Sequence, residues 1–181
     1  MMKHNVIASH KVIGTIISII VFIILFKYLA VQIGDTKDNA TLAPAWLSLV
    51  TAIFGPVSGA VTAFIGHATS DMLTNSATST VWWTWTIADS LFGLFIGLIT
   101  RRLAIFIGKL TTRKLVLFNI WQLVANVVAW LIIAPLGDHW VYNLSLLEST
   151  KEGGLIVVVN FLAIAIVGTI LFKIYQHYAV D

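Results

Sequence analysis

The chain has no cysteine among its 181 residues, only three prolines, and only 10% charged side chains. Each shortage excludes a class. Without cysteine there is neither a disulfide scaffold nor a thiolate metal site. A soluble domain carries roughly 25% charged residues, so this chain lacks the charged shell that would keep it in water. Disorder is excluded as well, because 59% of the residues are apolar. With a mean hydropathy of +0.94, the remaining class is an integral membrane protein.

In that setting the pI near 9.3 reflects where the few charges lie relative to the membrane, not affinity for nucleic acid. Residues 1–11 are polar and basic, but the apolar run after them has no small-residue cleavage site. It reads as a retained first span rather than a signal peptide.

A helix needs about 20 apolar residues to cross a bilayer. The first such run covers residues 12–33, with Lys27 near enough to its end to snorkel outward. Residues 32–43 are polar and read as a loop. From Asn39 to Ser70 there is no Asp, Glu, Lys or Arg, a stretch too long for one span and too short for two ordinary ones. Gly55-Pro56 divides it, giving a short second span over 44–54 and a full third over 56–73. The fourth span covers 82–103 and the fifth 115–136, where Pro135-Leu136-Gly137 ends it. Residues 138–152 read as a polar loop, and the sixth span runs from Gly153-Gly154 to about 178. The expected fold is all-α: a single six-helix transmembrane domain over 1–181.

Six spans put both termini on one side. With that side cytoplasmic, Lys3, Lys11, Arg101, Arg102, Lys109, Arg113, Lys114 and Lys173 lie inside, and only Lys27, Lys37 and Lys151 of the 11 basic residues lie outside.

Polar groups within spans are costly and face the bundle interior. His67, Asp71 and Asn75 recur every four residues on one face of the third span. Asp89 lies about 10 Å below the outer end of the fourth. Gln122 and Asn126 share a face of the fifth, and Asn160 lies at similar depth in the sixth. Most converge on the outer half of the bundle, as in a cup open to the outside, with Trp82, Trp83 and Trp85 at its rim. Aromatic faces with a few fixed polar groups suit a small planar ligand. The expected lining is Trp82, Trp85, Asp89, His67, Asp71, Asn126 and Asn160. Several of these groups also have plain structural readings: the tryptophans as an interfacial belt, the asparagines as interhelical bonds, and His67–Asp71 as a pair.

Gly55, Gly59 and Ala63, Gly93 and Gly97, and Gly14 and Ser18 form small-residue repeats of four, which allow close helix approach. For Gly14 and Ser18 on the first span, docking onto another membrane subunit is the functional reading. No G-x-x-x-x-G-K-[ST], H-E-x-x-H or G-x-S-x-G occurs, so there is no P-loop and no support for common hydrolase chemistries. Six spans without an energy site suggest a binding subunit powered by partners.

On the stretch Phe54-Gly-Pro-Val-Ser-Gly59, followed by Gly66-His-Ala-Thr-Ser-Asp71-Met-Leu73, the chain resembles the substrate-binding S component of an energy-coupling factor (ECF) vitamin transporter. The likeness extends over nearly the whole chain, and is narrower toward members handling hydroxymethylpyrimidine or vitamin B6-type compounds. It implies a bacterial plasma-membrane protein that is not an enzyme and needs no cofactor or metal of its own. It further implies a transmembrane T subunit, two cytoplasmic ATPases that use the ATP, and a toppling motion that releases substrate inside. Family members carry Ala-x-x-x-Ala on the first span for T-subunit docking; here Gly14-x-x-x-Ser18 stands in that region. Two other classes predict differently. A metal-dependent membrane enzyme using His67 and Asp71 requires bound metal, and an assembly scaffold requires polar groups all satisfied between helices.

Overall fold

The structure is a computed structural model that describes residues 2–33, 39–74 and 80–180, with side chains from residue 9 to 179 within those ranges. Among the described residues it is an all-α bundle of six helices. Helix α1 is Met2–Ile23, continued by a π-turn at Ile24–Tyr28. Helices α2 (Ala43–Phe54), α3 (Pro56–Thr74) and α4 (Trp83–Arg102) follow. Helix α5 runs unbroken over Thr112–Tyr142 and α6 over Leu146–Ala179. Ser9–Tyr28, α4, α5 and α6 are long and apolar enough to cross a membrane.

Between α1 and α2, the segment expected as a loop contains a minimal antiparallel ribbon, β1 (Val31–Gln32) paired with β2 (Asn39–Ala40). Asp35, Lys37, Asp38 and Asn75 lie outside the described residues.

Twelve residues of helix rise about 18 Å, well short of a hydrocarbon core of roughly 30 Å. Helix α2 is therefore packed inside the bundle, with eight of its residues buried. It can be buried with hydroxyls because they bond locally: Ser48 donates to the Pro44 carbonyl (3.0 Å) and Thr51 to the Ser48 carbonyl (2.9 Å). Gly55 ends it at φ 96°, ψ 175°, a conformation essentially reserved for glycine. Pro56 then opens α3 where no intrahelical donor is needed.

Helices α3 and α4 make the most extensive contact in the bundle. Small residues set that distance: a Cβ on Gly93 would fall 2.8 Å from the Gly59 carbonyl oxygen, and one on Gly97 would strike Pro56.

The structure corrects three sequence expectations. Helix α5 does not end at Pro135. A π-turn at Val128–Ile133 precedes the proline, widening the helix where the ring would otherwise clash with the preceding turn. The chain stays helical to Tyr142 and stops at Asn143, whose φ of 54° suits asparagine. The polar stretch 138–152 is accordingly helix on both sides of a three-residue turn, with Ser145 capping α6 by accepting from the Glu148 amide.

The third correction concerns Gly14 and Ser18. They pack against this chain's own helices. A Cβ on Gly14 would land on the Phe54 ring; Ser18 is 1% exposed, and its carbonyl accepts from Trp46 Nε1 at 3.2 Å. The outward face of α1 is a row of aliphatics, Ile13, Ile16, Ile17, Ile20 and Ile24. Gly14→Leu is therefore expected to destabilise the isolated chain by about 1–3 kcal/mol through overpacking, while Ile17→Ala leaves it near wild type. Thermal unfolding of each purified variant in detergent, with no partner present, checks this. Equal stability of Gly14→Leu and wild type would return the pair to the surface.

Candidate functional site

The bundle holds a cavity of about 570 Å³ at the end where α1 meets α2, α3 meets α4 and α5 meets α6. The exposed basic residues Arg101, Arg102, Lys109 and Arg113 cluster at the opposite end, on and around the α4–α5 connection. There Lys114 Nζ closes the turn by donating to the Ala104 and Ile107 carbonyls, both at 2.7 Å.

One wall of the cavity is aromatic. Trp82 and Trp85 come from the start of α4 and Trp130 from the π-turn of α5. The Trp85 and Trp130 ring centroids lie 5.3 Å apart, within the range of favourable aromatic pairs. A single buried carboxyl holds this wall. Asp138, 1% exposed, accepts from Trp82 Nε1 at 2.9 Å, from Trp85 Nε1 at 2.8 Å and from the Thr84 hydroxyl. With their N–H groups engaged, Trp82 and Trp85 offer faces rather than donors. The Trp130 Nε1 is buried and has no hydrogen-bond partner among the described residues.

Beside it the lining is ionisable. His67 on α3 stands between two acids: Nδ1 lies 3.1 Å from Asp89 Oδ2, and Nε2 lies 3.7 Å from Asp71 Oδ2. Asp89, 3% exposed, sits on α4. At such depth an acid needs a partner, and the imidazole is the group that supplies it. Asp71 also accepts from the Trp82 backbone N–H at 2.9 Å, tying the end of α3 to the start of α4. Phe26 covers the imidazole with centroids 4.7 Å apart. Helix α6 contributes a row on one face, Glu148, Ser149, Glu152, Ile156 and Asn160.

Trp82, Trp85, Asp89, His67, Asp71 and Asn160 thus line one cavity. Asn126 does not. It is fully buried behind the wall, donating to both the backbone and the side-chain oxygen of Gln122 at 2.9 Å. Gln122 in turn donates weakly to the Phe161 carbonyl at 3.4 Å, bridging α5 to α6. Trp83, expected at the rim, points outward against Phe64. Sequence reasoning missed Trp130, Asp138, Glu148 and Glu152. Trp130 was open to an interfacial-belt reading, and the other three fell in the presumed loop. Among the described residues, no three or more His, Cys, Asp or Glu side chains are grouped to hold a metal ion.

A family model described as "ECF-type riboflavin transporter, S component" matches residues 6–177. The chain belongs to this family. It is a transporter's membrane-embedded substrate-binding subunit and not an enzyme. As an S component it belongs to a class that assembles with a T subunit and ATPases. Similar proteins occur in other bacteria. A "UPF0397 protein" of Leuconostoc citreum is 40% identical over 173 residues, covering 96% of this chain and 90% of that one. One from Lactiplantibacillus plantarum is 38% identical, covering 92% and 88%. One from Staphylococcus aureus (strain Newman) is 34% identical, covering 96% and 93%.

Asp138 makes a sharp stability prediction for this S component. Asn in its place keeps one oxygen acceptor for three donors and adds two donors of its own. Asp138→Asn is expected to lower unfolding stability by about 1–3 kcal/mol and to shift tryptophan emission. Unchanged thermal midpoint and emission together would show that Asp138 does not hold the wall.

Proposed function

We propose that this S component captures a small planar heterocycle from outside the cell in the aromatic cavity, for uptake driven by one T subunit and two cytoplasmic ATPases. The chain itself uses no ATP and no cofactor. The observation that carries this reading is the cavity's construction: tryptophan side chains fixed by Asp138, with the Asp89–His67–Asp71 array beside them. Trp82 and Trp85 stack on the ring, Asp89 accepts from a ring N–H or hydroxyl, and His67 and Asp71 fix its position. Asn160 orients substituents, while Asn126 acts behind the wall and not on the ligand. The positive-inside bias supports cytoplasmic termini. It also supports a cavity mouth facing outside, since the basic α4–α5 connection lies at the far end.

The resemblance drawn from sequence pointed to hydroxymethylpyrimidine or pyridoxine-type ligands, whereas the description of the matching family names riboflavin. A volume of about 570 Å³ falls within the roughly 300–1,000 Å³ of small-molecule sites, so it accommodates the single-ring ligands and supports larger ones as well. Toppling of the bundle fits a subunit whose acidic outer end needs a partner to move through the membrane.

Asp89→Ala and Trp85→Ala are each expected to weaken binding of the ligand about tenfold or more, near 1.4 kcal/mol. The assay is binding of radiolabelled riboflavin, pyridoxine and hydroxymethylpyrimidine to right-side-out membrane vesicles with ligand added outside. Unchanged affinity in both variants would move the site elsewhere. Binding restricted to inside-out vesicles would reverse the orientation.

A further inference from the structure

Resting on that reading of the cavity, we infer that Asn160 sets specificity by reading a planar edge of the substrate, one with a hydrogen-bond donor and an acceptor on neighbouring atoms, as in an imide or an aminopyrimidine. Asn160 lines the cavity, is 7% exposed, and makes no side-chain hydrogen bond among the described residues. An asparagine kept for packing alone bonds across to a neighbouring helix, as Gln122 does when it donates to the Phe161 carbonyl. That bond ties α6 to α5 one residue beyond Asn160 and leaves the Asn160 amide to the cavity. A carboxamide holds one acceptor oxygen and two donor hydrogens in a fixed plane. That is the complement of a flat donor–acceptor edge on a heterocycle.

The rest of the lining leaves this task to Asn160, because few of its groups can donate. No lysine or arginine lines the cavity among the described residues. The indole N–H groups of Trp82 and Trp85 are turned to Asp138, and that of Trp130 is buried in the wall. Both ring nitrogens of His67 face acids. Asn39, Thr41 and Ser149 come from the stretch before α2 and from the first turn of α6. Asn160 stands about 18 Å further along α6 than Glu148, at the inner end of the row. Tryptophan faces accept any flat ring, whereas a fixed amide tells one ring edge from another. Riboflavin has an imide edge and hydroxymethylpyrimidine an aminopyrimidine edge. Pyridoxine has neither, since its ring nitrogen and phenolic hydroxyl are not on neighbouring atoms.

The test is equilibrium dialysis with the purified full chain in detergent, using matched probes. Riboflavin is set against its 3-methyl derivative, in which the imide N–H is blocked, and hydroxymethylpyrimidine against the analogue without its amino group; pyridoxine is the fifth ligand. At least one intact ligand is expected to bind saturably, about tenfold or more tighter than its blocked partner and than pyridoxine. In Asn160→Leu, of similar volume, the intact and blocked partners should bind within about threefold of each other. The variant loses no hydrogen bond within the described residues, so its thermal midpoint without ligand is expected to stay near wild type. If it does not fold, the matched pairs on the wild-type chain still decide. A blocked partner bound as tightly as its intact ligand overturns the inference, as does tighter binding of pyridoxine than of both intact ligands, although a heterocycle site would then stand. An edge preference that persists in folded Asn160→Leu overturns the assignment to Asn160. Binding by none of the five up to millimolar concentration overturns both this inference and the proposed function.

Discussion

A buried carboxyl that accepts from three side-chain donors organises the cavity end of this protein. Asp138 reaches it only because α5 continues past Pro135, and α5 continues because the π-turn at Val128–Ile133 relieves the proline. The same turn carries Trp130 into the cavity. Local backbone chemistry on one helix thus sets the position of all three tryptophans, Trp130 directly and Trp82 and Trp85 through Asp138. Removing the acid would leave indole N–H groups facing a partly dry cavity, where an unpaired donor costs roughly 1–3 kcal/mol.

The second constraint is the lack of any hydrophobic drive between helices in lipid. Association has to come from close packing and internal hydrogen bonds. Gly59 and Gly93 bring α3 and α4 into backbone contact, and Gly153 does the same for α6 against the Trp130 carbonyl. These contacts place His67 within hydrogen-bond reach of Asp89 across two helices. The α6 row from Glu148 to Asn160 lines the same cavity as the tryptophans. The result is a glycine-set frame around a cavity whose polar groups are held by one another.

Much of this was legible in the sequence, for identifiable reasons. Hydropathy and the Gly55-Pro56 break mark six helices, since the bilayer fixes helix length and proline starts a helix well. The depth of Asp89, His67, Asp71 and Asn160 follows from helical rise, and all four line one cavity. The losses came where a local rule met a tertiary override. Pro135 looked like a stop, so Asp138 was placed in a loop together with Glu148 and Glu152. Asn126 shares the depth of the cavity but not its direction, because periodicity fixes a face only relative to neighbours on the same helix. His67 was paired with Asp71 by its spacing of four, yet the shorter contact is to Asp89, 22 residues away. Gly14 and Ser18 looked like a surface pair because the aliphatics around them gave no hint that Phe54 and Trp46 would cover them.

The central claim is that substrate sits against the tryptophan wall. The most direct test is the emission of the purified protein's seven tryptophans during titration with riboflavin, pyridoxine, hydroxymethylpyrimidine and thiamine, with binding followed in parallel by equilibrium dialysis. The account predicts that one ligand quenches or shifts the emission saturably, with the same midpoint as its binding curve. Saturable binding with no change in emission would contradict it, because a ligand held in this cavity cannot avoid Trp82, Trp85 and Trp130.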